Sequence, residues 1–178
     1  MLSYMSLFPL MYFFYVLIPL GPLVYLFIRW RAGKGEPAEQ NLGVKVIAYY
    51  FRTLGYHIAL IGFSILLVDL LKNSYTTNGK TGTAILIIGL LVYAVHWVIV
   101  RRGFKENQFP FTGRVYMVFN LILTGLVGLS AAIIWISIIL SKRPRDFETP
   151  LAFLLVYVIA WIYQSWEFYR PVLKNKKS

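Results

Sequence analysis

Cysteine is absent from the 178 residues, which excludes disulfides, thiolate metal sites and a cysteine nucleophile. Charge is scarce as well. Only 14% of the side chains are Asp, Glu, Lys or Arg, against about a quarter in an ordinary soluble domain, and 58% are hydrophobic. The carboxylates are fewest: seven Asp and Glu stand against eighteen Lys and Arg, for a net charge of +11. With two histidines in the chain, no His-Glu-x-x-His, no Gly-x-Ser-x-Gly and no carboxylate pair beside a histidine occurs, so hydrolytic chemistry has no visible constellation. Gly79-Lys80-Thr81 has the ending of a phosphate-binding loop, but the glycine required five residues before Gly79 is replaced by Ser74 and no strand precedes it.

What the chain does have is apolar runs of membrane-crossing length. Five are present, at 7–28, 46–71, 83–100, 115–140 and 149–166, close to the roughly twenty residues that a hydrocarbon core about 30 Å thick requires. Backbone groups in lipid must bond within their own segment, and these runs lack the alternation of barrel strands, so each is predicted to be an α-helix. The expected fold is an all-α, polytopic integral membrane protein with five transmembrane helices. It divides into a first helix (1–31), a connection (32–45) containing Gly33, Gly35 and Pro37, two helical hairpins (46–102 and 114–170) and a basic tail (171–178). Pro19, Gly21 and Pro22 predict a kink near Leu20.

The cations set the expected orientation. Arg29, Arg31 and Lys34 follow the first apolar run instead of preceding it, as in an uncleaved first helix and not a signal peptide. Summed by side, thirteen Lys and Arg fall with the 32–45 connection and five with the 72–81 and 141–148 loops. The prediction is an integral membrane protein with its N-terminus outside and its C-terminus in the cytoplasm. Because the basic residues sit at the ends of apolar runs, anionic lipid headgroups are the expected partner of the positive charge, and nucleic acid is not.

The first hairpin holds both histidines. His57 lies fourteen residues before Leu71, and His96 fourteen after Gly82, which places the two imidazoles at similar depth from the 72–81 loop. That is one requirement of a bis-imidazole haem b site, with His57 and His96 as candidate tetrapyrrole ligands. The competing expectation is structural: His57 bonding Tyr50 or Ser64, and His96 at the interface beside Trp97 and Arg101. No third ligand completes a metal site. Asp69 and Lys72 read as an i,i+3 interfacial pair, and Trp30, Trp97, Trp161, Tyr163, Trp166 and Tyr169 as an aromatic belt.

Small residues recur on two helices, Gly55, Ala59 and Gly62 on the second and Gly125, Gly128 and Ala132 on the fourth. This predicts packing of the second helix on the fourth through these positions, since close approach is what holds helices together in lipid. At about 100° per residue, His57 falls on a different face from the small stripe.

The second hairpin echoes the first. A shift of 66 lays Tyr50 on Tyr116, Ala59 on Gly125 and Gly62 on Gly128, and a shift of 69 lays Trp97 on Trp166 and Arg101 on Arg170. Self-similarity of this kind predicts a duplicated, parallel hairpin. The Tyr-led helix from Tyr50, with its return through His96-Trp97 and downstream to Arg101, resembles a bacterial multi-helix membrane family of unknown function. The resemblance covers 49–102 and, with Ser165 in place of the histidine, 116–170. It implies a hairpin architecture and a bacterial source, and no activity. Taken together, the residues lead to a small structural or accessory subunit of a membrane complex, with other membrane subunits as partners. Haem-based electron transfer through His57 and His96 and a transporter or channel component are the alternatives.

Overall fold

A computed structural model describes residues 19–32, 34, 41–72, 77–103, 111–141 and 147–175. Among them every regular element is an α-helix: α1 (Leu20–Ala32), α2 (Leu42–Leu71), α3 (Thr77–Gly103), α4 (Phe111–Leu140) and α5 (Glu148–Asn175). Four helices, α2 to α5, are long and apolar enough to cross a membrane. The fifth expected crossing, 7–28, lies mostly outside the described residues. Of its proline-rich stretch, Pro19 accepts the first helical bond, from the Leu23 N–H, and Pro22 occupies the opening turn of α1, where a missing N–H costs nothing.

The helices extend beyond the apolar runs. α3 begins at Thr77, inside the stretch read as a polar loop, and the Thr83 hydroxyl donates to the Gly79 carbonyl across its first turns. α2 begins at Leu42, just after Asn41, which has a positive φ of 54°, a conformation asparagine tolerates. At the other end of the chain, α5 runs to Asn175, into the stretch read as a tail. Hydropathy marks where lipid begins and ends, whereas a helix continues into water as long as its turns remain bonded.

The chain forms two compact units, Met1–Gly55 with Leu91–Tyr116, and Tyr56–Leu90 with Met117–Ser178. The first contains α1, the opening of α2, the end of α3 and the start of α4. Its core includes Val24, Ile28 and Val46 together with several aromatic contacts. The Tyr50 ring lies 3.4 Å from where a Cβ on Gly21 would stand, Tyr49 stacks on Tyr116 with centroids 6.0 Å apart, and Phe27 stacks on Phe111 at 6.4 Å, with Arg31 over the same Phe111 ring. Gly113 makes room for the Tyr49 hydroxyl, which would lie 2.6 Å from a Cβ at that position.

The second unit contains the remainder of α2, α3 and α4, and α5. Here α2 and α3 meet backbone to backbone. A Cβ on Gly62 would stand 2.4 Å from the Leu86 nitrogen, and a Cβ on Gly89 would stand 2.4 Å from the Ala59 nitrogen. Across α4 and α5 the glycines face aromatic residues instead: Gly125 meets Trp161 at 3.1 Å and Gly128 meets Tyr157 at 3.7 Å. Large apolar side chains such as Ile87, Leu90, Ile133, Leu129, Ile159 and Ile162 point outward, as they do on helices whose solvent is lipid.

Candidate functional site

α2 carries its polar side chains inward. Thr53, His57, Ser64 and Asp69 are all buried on a helix whose mean composition is apolar. In lipid such groups are costly unless bonded, so each requires a partner from its own helix or from a neighbour. Ser64 is satisfied locally, its hydroxyl donating to the Leu60 carbonyl at 2.9 Å. His57 is bonded across helices through one ring nitrogen. Its Nε2 lies 3.0 Å from the Asn120 Oδ1 on α4, 63 positions along the chain, and the side chain is fully enclosed. An amide oxygen only accepts, so in this arrangement Nε2 carries the proton. The Tyr56 ring meets the imidazole edge-on at 5.4 Å.

α4 supports the pair from its own side. Thr124, one turn beyond Asn120 and fully buried, donates to the Asn120 backbone carbonyl at 2.7 Å, so its hydroxyl is satisfied within α4. The result is a polar contact between two membrane-length helices in an otherwise apolar setting. Interhelical hydrogen bonds of this type are worth about 0.6 kcal/mol on average in membrane proteins, with a maximum near 1.7. Leaving either partner buried and unbonded costs about 1–3 kcal/mol, so the pair acts mainly by opposing any rotation of α2 against α4.

His96 lies in the other unit and is only partly buried. Its Nδ1 is 2.8 Å from the Val92 carbonyl, and its ring stacks on Phe51 with centroids 5.1 Å apart and planes 23° from parallel. The two histidines thus differ in setting: one is bonded to a second helix, the other is oriented by its own. Nε2 is a common axial-ligand atom in haem sites, so iron ligation by His57 would require release of Asn120. For His96 the carbonyl bond to Nδ1 is the kind that orients a ligating imidazole.

The small residues are placed as follows. Ala59 and Gly62 contact α3, through Gly89, Leu86 and Gly82, where α4 was the expected partner of this stripe; Gly125 and Gly128 contact α5. Gly55 is buried and Ala132 is half-buried. In this unit α2 and α4 are joined by the His57–Asn120 bond. Asp69 is buried near the end of α2, while Lys72 is exposed. Glu167 and Arg170 form an exposed i,i+3 ion pair at 3.5 Å.

Asn120 did not stand out in the sequence as a functional candidate. The available signal was chemical: it is the single amide side chain in the 115–140 run, and a lone amide in lipid must find a partner. Comparison with protein-family models, curated proteins and solved structures finds no match for this chain.

Proposed function

We propose that this chain is a small structural or accessory subunit of a bacterial membrane protein complex. It sits in the inner membrane with its N-terminus outside and its C-terminus in the cytoplasm. The observation that supports this reading is the use of its buried imidazole: the His57 ring is engaged in holding α2 to α4 through Asn120. Broad faces of Ile, Leu and Val are left outward, where neighbouring helices or lipid cover them. The basic ends of the helices meet anionic headgroups.

Mild solubilisation of native membranes tests the role. The chain is expected to migrate with other membrane proteins, in a particle larger than a detergent-bound monomer of 20.6 kDa. Migration as a free monomer under conditions that preserve known complexes overturns the accessory role. Orientation is tested separately, because the chain contains no cysteine. A cysteine at Ser141 is expected to label only from outside, and one at Gly103 only from the cytoplasm; the reverse pattern overturns the orientation.

Haem b ligation is the second reading, supported by the His96 Nδ1 bond to Val92, which suits an iron-ligating imidazole. It requires His57 to leave Asn120. Protein purified from haem-supplied cells would then show a Soret band that His57→Ala and His96→Ala each abolish, and a colourless preparation eliminates this reading.

A further inference from the structure

The described residues of the unit Met1–Gly55 with Leu91–Tyr116 include eight Lys and Arg and no Asp or Glu. Two of these cations, one from α2 and one from α3, are held over aromatic rings of α3 in that unit. The Arg52 guanidinium, from α2, lies 5.5 Å from the Tyr93 ring centroid, and the Arg101 guanidinium lies 4.8 Å from that of Trp97. Tyr93, Trp97 and Arg101 recur every four residues, so they form one stripe of α3, with about 6 Å of helical rise between successive members. A guanidinium on a ring face retains N–H donors at its edge, arranged to suit the two oxygens of a phosphate.

His96 stands beside this stripe, held by Phe51 on its ring face. A carbonyl only accepts, so the 2.8 Å contact to Val92 makes Nδ1 the donor, and in the neutral ring Nε2 is an acceptor. An acceptor next to a stripe carrying two cations suits a ligand that supplies an O–H as well as a negative charge. The half-exposed rings of Tyr93 and Trp97 require in addition an apolar portion, which a lipid has and a free phosphate lacks.

We propose that this strip is a headgroup site for one anionic phospholipid carrying free hydroxyls, of the phosphatidylglycerol type. Arg52 and Arg101 hold the phosphodiester, His96 Nε2 accepts a headgroup hydroxyl, and Tyr93 and Trp97 face the glycerol backbone and first methylenes. The site rests on the membrane placement proposed above and is independent of the accessory role.

The test uses the full chain in nanodiscs of phosphatidylcholine containing a minor fraction of either phosphatidylglycerol or phosphatidic acid, with retained lipid read by native mass spectrometry. One phosphatidylglycerol is expected to be retained in preference to both other lipids. Arg52→Gln with Arg101→Gln is expected to lower its retention about tenfold or more, the loss of charge-assisted bonds to phosphate, while Arg170→Gln in the other unit leaves it unchanged. His96→Phe, which keeps a ring against Phe51, is expected to erase the preference for phosphatidylglycerol over phosphatidic acid without loss of anionic lipid. Should the double variant fail to fold, Arg101→Gln alone, at an exposed position, makes the same comparison with a smaller loss. Equal retention of phosphatidylcholine and phosphatidylglycerol overturns the proposal, as does retention indifferent to the arginine substitutions or displacement of the lipid by inorganic phosphate. A preference that survives His96→Phe overturns the hydroxyl assignment. Failure of the chain to enter nanodiscs at all would count against the membrane placement itself.

Discussion

Two helix pairs in one unit use glycine for opposite purposes. Where α2 meets α3, Gly62 and Gly89 let one backbone lie against another, and a Cβ at either position would stand 2.4 Å from a main-chain nitrogen. Where α4 meets α5, Gly125 and Gly128 face Trp161 and Tyr157, and the space a Cβ would occupy is open to within 3.1 and 3.7 Å. The first contact is set by main chain, which cannot be repacked, and the second by side chains, which can turn. In lipid, where no hydrophobic force draws helices together, such van der Waals contact contributes a large part of the attraction, so the first seam should tolerate far less change. The alignment that lays Gly62 on Gly128 therefore pairs residues of the same type in different surroundings.

The comparison fails most visibly if Gly62→Ala or Gly89→Ala is harmless. Each is expected to destabilise by about 1–3 kcal/mol or more, because overpacking against main chain must push α2 and α3 apart. Thermal loss of the monodisperse peak in detergent measures this, and unchanged midpoints would mean the seam is not backbone-tight.

Next in size is the polar contact. His57→Ala is expected to cost about 1–3 kcal/mol, mainly by leaving the Asn120 amide buried without its partner. A double-mutant cycle with His57→Leu and Asn120→Leu should give a coupling of about 0.6–1.7 kcal/mol, with the double variant less damaged than the single changes imply. Strict additivity would show that the two side chains do not act as a pair.

Gly125→Ala should have a smaller effect, a loss under about 1 kcal/mol, as the Trp161 indole shifts by tenths of an ångström. The loss should shrink in a Trp161→Phe background, where the nearest atom, Nε1, is gone. An equal loss in both backgrounds would place the strain elsewhere.

Gly128→Ala is expected to be neutral or stabilising by up to about 1 kcal/mol, since its Cβ would meet Tyr157 at an ordinary 3.7 Å and alanine is the better helix former. Destabilisation comparable to that of Gly62→Ala would erase the distinction between the two seams.

Particular residues show how far the sequence could be read. The apolar runs at 46–71 and 115–140 lie within α2 and α4, because a run of apolar residues in lipid has few alternatives to bonding its own backbone. His57 was recognisable as a polar group in need of a partner, but Tyr50 and Ser64, the neighbours in sequence, are not the partners found. Ser64 spends its hydroxyl on Leu60, and Asn120 lies 63 positions away. The small stripe was legible as a close-approach surface, yet Ala59 and Gly62 meet α3, where α4 was expected. Glycine accepts any close neighbour, and periodicity gives a face without saying who occupies the other side.

The sequence by itself determined the helical state, four described helices long and apolar enough to cross a membrane, and the concentration of cations at helix ends. These follow from local quantities: the cost of exposing a peptide group to lipid and the transfer free energy of each side chain. Only the tertiary structure decided that His57 bonds Asn120, that His96 is turned onto Val92 and Phe51, and that Gly62 rests on Leu86. Those choices depend on the rotation of each helix about its axis and on which neighbour it meets, and many apolar faces satisfy the local energies equally well. A few bonded polar atoms and main-chain contacts separate them.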